Sequence, residues 1–469
     1  MPVPGSDVPP TPARPRVVPT CDVSRLPQPQ PNTQLTLTAN RTRGVWVAET
    51  VTLPASVTIK MTGDLTIVAS QELDIQGDIE VPRSNPGEPS PNLSLICLRG
   101  RLTVGPSASI GWGVAGSGDD DDRSMLPASA QAEPGDNGGW IRFYGGTIDC
   151  QGRVRGTDGG RGGSAQARNN WPLLSSLIAV LGYAAPGIVF PYWIFRRWAM
   201  GRAAAAGGTG GTGGDVLFCA NEVLHLGNNI EAGWGGAGGT ADAISDFGAP
   251  AYARGGPGGH GGDVLMTKVG PGTALRVLID YCVEGGMGWQ GAYGWADANQ
   301  GSGGAADAFA WGGDGGEGGT VKFDNCTVVK LGDVQPGGGG LGAAADAFGG
   351  DGADGRFGGQ NGGKATAKGG NGGPIGVRPA VPAAPGVTPT PVCTPRAAGS
   401  GNRASATPGA GGDRTWPIGG SGGDSGSASA TGGSNGAGTG PGAPATSPPV
   451  PATTAAGAVG APAAQAGVP

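Results

Sequence analysis

The chain has 469 residues, a formal net charge of −6 and only 14 % charged side chains. This mild acidity, with no basic stripe, excludes nucleic acid as a natural partner. Glycine supplies 99 residues and proline 41. Each glycine loses more backbone entropy on folding than any other residue and buries no side chain, so a single compact core is not expected over most of this length.

Residues 1–33 are proline-dense and predict an extended, polyproline-like arm without fixed structure. From Gln34 the stretch QLTLTANRTRGVWVAETVTLPASVTIKMTGDLTIVASQELDIQGDIEV alternates apolar and polar residues and is rich in Val, Ile and Thr. That is a strand signature with turn signals every eight to ten residues, and 34–137 is read as a strand-rich part. The stretch 138–375 repeats a strand-plus-glycine unit, which opens at 138–143 (GGWIRF), 213–218 (GGDVLF), 261–266 (GGDVLM) and 318–323 (GGTVKF). The period is irregular but the order of parts is kept, which is the mark of a solenoid whose units bury their apolar faces on their neighbours.

Within the glycine blocks an A-x-A element recurs at 165–167, 241–243, 296–298, 306–308, 345–347 and 365–367, with weaker copies at 404–406 and 428–430. Residues this small allow close backbone approach, in polyglycine II helices or thin stacked sheets. Recurrent aromatics (Trp234, Trp289, Trp295, Trp311) argue against a flexible linker. Residues 376–469 lose the strand signal and are read as a disordered Pro/Ala/Gly/Ser-rich tail. No polar cap is evident after Pro374, so unpaired backbone is expected at that end.

The units GGDVLFCANEVLHLGNNIEA and GGTVKFDNCTVVKLGDV, each leading into glycine-rich and A-x-A runs, resemble glycine-rich parallel β-helix proteins of bacterial surfaces and phage fibres. The glycine blocks are similar to those of mycobacterial PE-PGRS proteins. The resemblance implies an exposed structural or adhesive role and brings no catalytic motif.

One segment departs from the pattern. WPLLSSLIAVLGYAAPGIVFPYWIF carries no charge and is followed by Arg196 and Arg197. Pro172, Pro186 and Pro191 would break a single spanning helix, so the segment is read as an inserted helical or hairpin loop over 171–200. Its contact residues for a partner or a membrane surface are Trp171, Leu174, Ile178, Tyr192, Trp193, Ile194, Phe195 and Trp198.

Chemistry-bearing residues are few. Seven cysteines include no C-x-x-C pair, so no zinc or redox motif is indicated. Asp149, Asp280 and Asp324 each precede a cysteine late in a strand and could stack as a ladder. A glycosidase would need two carboxylates there, one with a raised pKa, whereas any copied repeat unit gives the same spacing. The A-D-A aspartates Asp242, Asp297, Asp307 and Asp346 are the natural calcium candidates, since calcium takes several hard oxygens. The window 349–357 approaches the calcium-binding nonapeptide, with Arg356 where an apolar residue belongs. The run Asp119–Asp122 reads as an exposed loop, and His225 and His260 read as isolated.

The expectation is therefore an all-β fold: a right-handed parallel β-helix or solenoid with a polyglycine II-like glycine layer and disordered flanks. It carries no catalytic residues and no cofactor beyond candidate Ca2+. The expected role is structural and adhesive, with self-association into an oligomer or fibre, contact with a glycan or host surface, and shallow membrane contact as a further option. Alternatives are a polysaccharide-binding or polysaccharide-degrading β-helix protein and an envelope protein anchored through 171–195. An ice- or carbohydrate-binding module would need a flat, regular face. The N-terminus lacks the basic and apolar regions of a secretory signal, yet the role places the protein outside the cell, at its surface or on a virion fibre.

Overall fold

The computed structural model describes residues 12–15, 20–124, 128–169, 202–246, 249–300, 306–351, 361–377, 380–387, 396–408, 410, 425, 427–434 and 453–454. Among them there is no helix, and the fold is all-β. Strands assemble into an 11-stranded wide sheet, a 7-stranded narrow sheet, and two further sheets of seven and six strands built mainly from A-x-A segments. Pairing is parallel throughout, as in Ile141–Cys150 with Val216–Leu226 and Ala203–Ala206 with Ala251–Arg254.

The chain visits the sheets in a fixed order. Ile141–Cys150 lies in the wide sheet, Arg153–Arg155 in the narrow one, Ala165–Asn169 in the first alanine sheet and Ala203–Ala206 in the second. The chain then returns to the wide sheet at Val216–Leu226 and repeats the circuit. From Trp112 to Ala344, nine residues separate the narrow sheet from the first alanine sheet on every way out, and nine separate the second alanine sheet from the wide sheet on every way back. Most variation in length falls in the connection between the two alanine sheets: 125–127, 170–202, 247–250, 301–307, 349–364 and 408–427, with a smaller addition at 269–274 between two wide-sheet strands. These turns hide a constant frame behind an irregular sequence period.

Two cores follow from side-chain size. The wide and narrow sheets enclose Leu, Ile, Val, Phe and Met, among them Leu65, Ile67, Phe143, Phe218, Met266 and Val328. The two alanine sheets face each other across a core made only of alanine, from Ala128 to Ala406. Alternation puts each alanine inside and its x residue outside, so the layers stack as thinly as a methyl group allows.

Between the cores lie the nine-residue glycine segments, bonded by a triplet rule. In 207–215, Gly207, Gly210 and Gly213 donate to the carbonyls of Arg254, Pro257 and His260 on the next returning pass at 2.8–2.9 Å. Gly208, Gly211 and Gly214 donate to those of Gly163, Gly160 and Thr157 on the outgoing pass at 2.7–2.8 Å. The third residue of a triplet carries the side chain, and its N–H is often taken by the preceding circuit. Asn137 accepts from Thr212 (3.0 Å), Asp215 from Asp263 (2.7 Å) and Asp314 from Asn371 (2.7 Å).

The positive-φ glycines (44, 87, 111, 270, 272 and 386) all lie outside this array, so its glycines are needed for space rather than for a left-handed backbone. A Cβ on Gly211 would sit 1.8 Å from the Asp136 carbonyl oxygen, and one on Gly236 would sit 1.9 Å from that of Gly160.

Three expectations are corrected. The proline-rich arm packs on the wide sheet where it is described. Cys21 is disulfide-bonded to Cys219, Arg142 donates to the carbonyls of Thr20 (2.9 Å) and Asp22 (3.3 Å), and Arg14 pairs with buried Asp136 at 2.6 Å. The outer-face residues Val68, Ile96, Leu217 and Cys219 of that sheet are fully buried. Prolines suit such a strap because they hold an extended backbone at low entropic cost and need no N–H partner.

The tail beyond 375 also contains paired strands, since Ala404–Thr407 and Ala428–Thr431 continue the alanine sheets in register. The stacking requires only alternating small residues, and those survive the loss of the larger apolar pattern. Finally, the wide sheet does have a cap. Val328 N–H donates to Pro382 O at 2.9 Å, Ala384 N–H returns to Val328 O at 2.8 Å, and Val381 and Val387 cover the core. Pro382 and Pro385 have no N–H with which to continue the ladder.

Gly236→Ala should destabilise the chain by about 3 kcal/mol or more, because backbone rather than a movable side chain must yield. Gly63→Ala, whose Cβ would lie 3.6 Å from Arg43, should shift stability by about 1 kcal/mol or less. Denaturant midpoints of the two variants test this contrast. Cys21→Ser should cost about 2–5 kcal/mol and raise hydrogen exchange across 66–69, 93–97 and 216–220, where the strap covers the sheet.

Candidate functional site

Since both cores are closed, chemistry is confined to the outer faces, where parallel pairing sets unlike side chains in rows. The row on the wide sheet runs through Arg101, Asp149, His225, Asp280 and Lys330. Asp149 and His225 are register partners on adjacent strands. His225 Nδ1 lies 3.2 Å from Asp149 Oδ1, and its Nε2 lies 3.2 Å from Asp280 Oδ2. Arg101 closes one end on Asp149, and Lys330 closes the other on Asp280 at 2.8 Å. Gln151 Nε2 adds a bond to Asp149 at 2.8 Å.

Burial by itself would raise the Asp149 carboxyl, but hydrogen bonds from Gln151 and Arg101 and the charges of Arg101 and His225 outweigh it and hold the group below its usual range. Asp280 follows the same logic, with burial overcome by the hydrogen bonds and charges of Lys330 and His225. His225 is therefore not isolated, which corrects the sequence reading. Asp324 stays out of the row and pairs in register with Thr267 on the other half of the sheet. Two lowered carboxyls bridged by an imidazole offer no protonated acid of the kind that glycoside cleavage needs.

The calcium candidates do not converge. Asp242 and Asp346 lie in the first alanine sheet on either side of Trp295, in the register row Gln166, Asp242, Trp295, Asp346, Ser405. Strand spacing puts the two carboxylate-bearing strands about 10 Å apart, too far to share one ion directly. Asp297 occupies the next outward row opposite Phe348, and Asp307 immediately precedes the strand Ala308–Trp311 of the other alanine sheet, where its carboxylate accepts Lys364 N–H at 2.9 Å. Tyr293 donates to Asp346, and burial followed by that bond pushes the phenol pKa up. Burial also raises Asp242, against the charge of Arg168. Among the described residues no group of three or more His, Cys, Asp or Glu is placed to hold a metal. Asp351 of the nonapeptide window accepts Ala410 N–H at 2.8 Å, Gly349 N–H donates to Thr407 O at 2.9 Å, and residues 352–357 of that window lie outside the described residues.

The acidic run is not a free loop either. Asp121–Ser124 is the first strand of its alanine sheet, Asp120 accepts Ser164 N–H at 2.6 Å, and Asp121 accepts Gln131 N–H at 2.9 Å. Carboxylates here satisfy the donors of a sheet edge and blunt it by charge. His260 accepts Glu317 N–H at 3.1 Å as one rung of the triplet ladder.

On the narrow sheet, a row missed in the sequence joins Lys60, Glu80, Gly111, Arg155, Glu231 and Glu284. Arg396 reaches in to bind Glu284 at 2.7 Å. Beside this row Arg155 stacks on Trp234 at 4.5 Å, and Trp234 stacks on Trp289 at 5.6 Å. The signal for these contacts was the constant nine-residue spacing, which the variable turns obscured. Cys97, Cys150 and Cys326 are free and buried, and burial pushes the Cys150 thiol up to about 12, so none is a ready nucleophile. Cys282 is disulfide-bonded.

The proposed contact residues Trp171, Leu174, Ile178, Tyr192, Trp193, Ile194, Phe195 and Trp198 lie outside the described residues. Their connection leaves Asn169 and re-enters at Ala203, the turn between the alanine sheets. No helix among the described residues is long and apolar enough to cross a membrane.

No family model matches the chain and no curated protein matches it. Among solved structures it is similar to a springtail antifreeze protein from Granisotoma rainieri, described as a nine polyproline type II helical bundle whose crystal waters match the ice lattice. Identity is 20 % over 51 % of this chain and 95 % of that one, with a TM-score of 0.08.

Because Asp149 and Asp280 are held below their usual pKa, they favour the fold when ionised. That contribution is complete above the unfolded carboxylate value near pH 4 and is lost as pH falls through the folded values. Urea midpoints should therefore drop between pH 5 and pH 3, and Asp149→Asn should drop less steeply than the parent.

Proposed function

We propose that this chain is a non-enzymatic structural and adhesive protein of a cell surface, filament or fibre, built as a right-handed parallel β-solenoid with a polyglycine II layer. The observation that carries the reading is the pairing of a repeated circuit with connections of variable length between the alanine sheets. Stacked circuits give a stiff frame, and most added length is placed between the alanine sheets. The apolar, aromatic insertion 171–200 falls in the longest of these connections and is the natural contact for a host surface, a second copy or a membrane face. Handedness follows from the strong preference of parallel crossovers, and the three-residue bonding rule of the glycine segments is that expected of polyglycine II.

Support for an adhesive rather than hydrolytic role comes from the wide-sheet row, whose carboxyls are ion-paired and held ionised. Sedimentation velocity on the full chain and on a variant lacking 171–200 tests the reading. The parent should associate as concentration rises and the deletion should remain monodisperse with an unchanged fold. Association that is identical in both would remove the insertion from its role, and a parent that neither associates nor binds vesicles or cell envelopes would sink the adhesive function.

A further inference from the structure

The outer face of the narrow sheet holds a cleft lined by Lys60, Asp78, Glu80, Arg83, Ser109 and Trp112 together with Val81 and Pro82. Trp112 sits at φ 70°, a left-handed backbone that bulky residues rarely adopt, and remains 40 % exposed. The frame does not demand this residue. At the same place in later circuits, the first residue after the narrow-sheet strand, the chain has Gly156, Ala232, Gly285 and Pro336. The row position beside it is Gly111, between Glu80 and Arg155, so a gap opens in the charged row where the indole lies. Arg153 stacks on the ring at 4.2 Å and Arg155 at 5.3 Å, neither of them a cleft residue, which fixes the ring from the neighbouring strand while it still lines the cleft.

We infer that this cleft is a binding subsite for a neutral pyranose unit of a polysaccharide. An indole offers a flat apolar platform for the C–H face of a sugar ring. Among the lining residues Lys60 and Arg83 offset Asp78 and Glu80, and Arg155 on the ring is itself paired with Asp158, so hydroxyl groups are favoured over a strongly charged ligand. Asp78 keeps one oxygen free after accepting Ser109 N–H at 2.9 Å, and Glu80 is held only loosely by Lys60, at 3.6 Å. Lys60 and Arg83 supply donors, so a ring with adjacent hydroxyls meets both acceptors and donors in the cleft. A solvent-exposed tryptophan held in a strained backbone also follows the pattern in which strain is retained where a site needs it. This subsite does not depend on the insertion that carries the proposed adhesive role, so either can fail alone.

Affinity electrophoresis of the full chain through gels containing soluble mixed-linkage glucan, galactomannan or xylan tests the inference, with dextran sulfate as the charged control. At least one neutral polymer should retard the parent. Trp112→Gly, which accepts φ 70° without strain, should weaken that retardation at least about tenfold with thermal stability equal to or above the parent's. Glu80→Gln should weaken it, and Trp234→Ala should leave it unchanged. Absence of retardation by every neutral polymer, retardation by dextran sulfate alone, or retention unaffected by Trp112→Gly would overturn the assignment. A Trp112→Gly chain that loses stability would mark the indole as a structural part and overturn it equally.

Discussion

The structure rests on how near two peptide backbones can come when no side chain stands between them. In the glycine layer a neighbouring carbonyl oxygen occupies the place of a missing Cβ, commonly within about 2 Å of where that atom would be. That proximity lets two N–H groups of each triplet bond to two different passes of the chain. Glycine is entropically expensive to order and brings no hydrophobic burial, so the layer can persist only as a hydrogen-bonded array anchored at both ends. The apolar core under the wide sheet and the alanine core at the opposite side supply those anchors.

The same constraint divides the labour of the molecule. Interior positions are dictated by space, glycine in the array and alanine between the thin sheets, and they carry no chemistry. Outward positions are free to vary, and parallel register converts them into rows. The pairing of Asp149 with His225 is one product of this geometry, which Arg101, Asp280 and Lys330 extend by reaching in from neighbouring positions. The stacking of Arg155, Trp234 and Trp289 is another. Length variation is kept out of the nine-residue segments, since any insertion within one would shift every hydrogen bond after it.

Ends need separate solutions. A proline strap fastened by Cys21–Cys219 covers the outer face of the wide sheet, and a second proline-bearing segment closes its last strand. The acidic run blunts the first edge of one alanine sheet. In each place the residues are those that cannot extend a ladder or that repel a copy of themselves, which lets a chain of parallel strands keep defined boundaries.

The sequence by itself determined the all-β class and the small-residue layers. These follow from local composition and from the period-two alternation that any short window reveals. It also marked Asp149, Asp280 and the A-D-A aspartates as the charged positions worth weighing. Only the tertiary structure decided which of them meet. Asp149 and Asp280 are joined through His225 because parallel register brings distant strands side by side, whereas Asp242 and Asp346 are parted by Trp295 and Asp324 is left on another row. The strap, the cap and the exposed Trp112 were likewise illegible. Each depends on contacts between residues far apart in the chain, and no local pattern encodes such a distance.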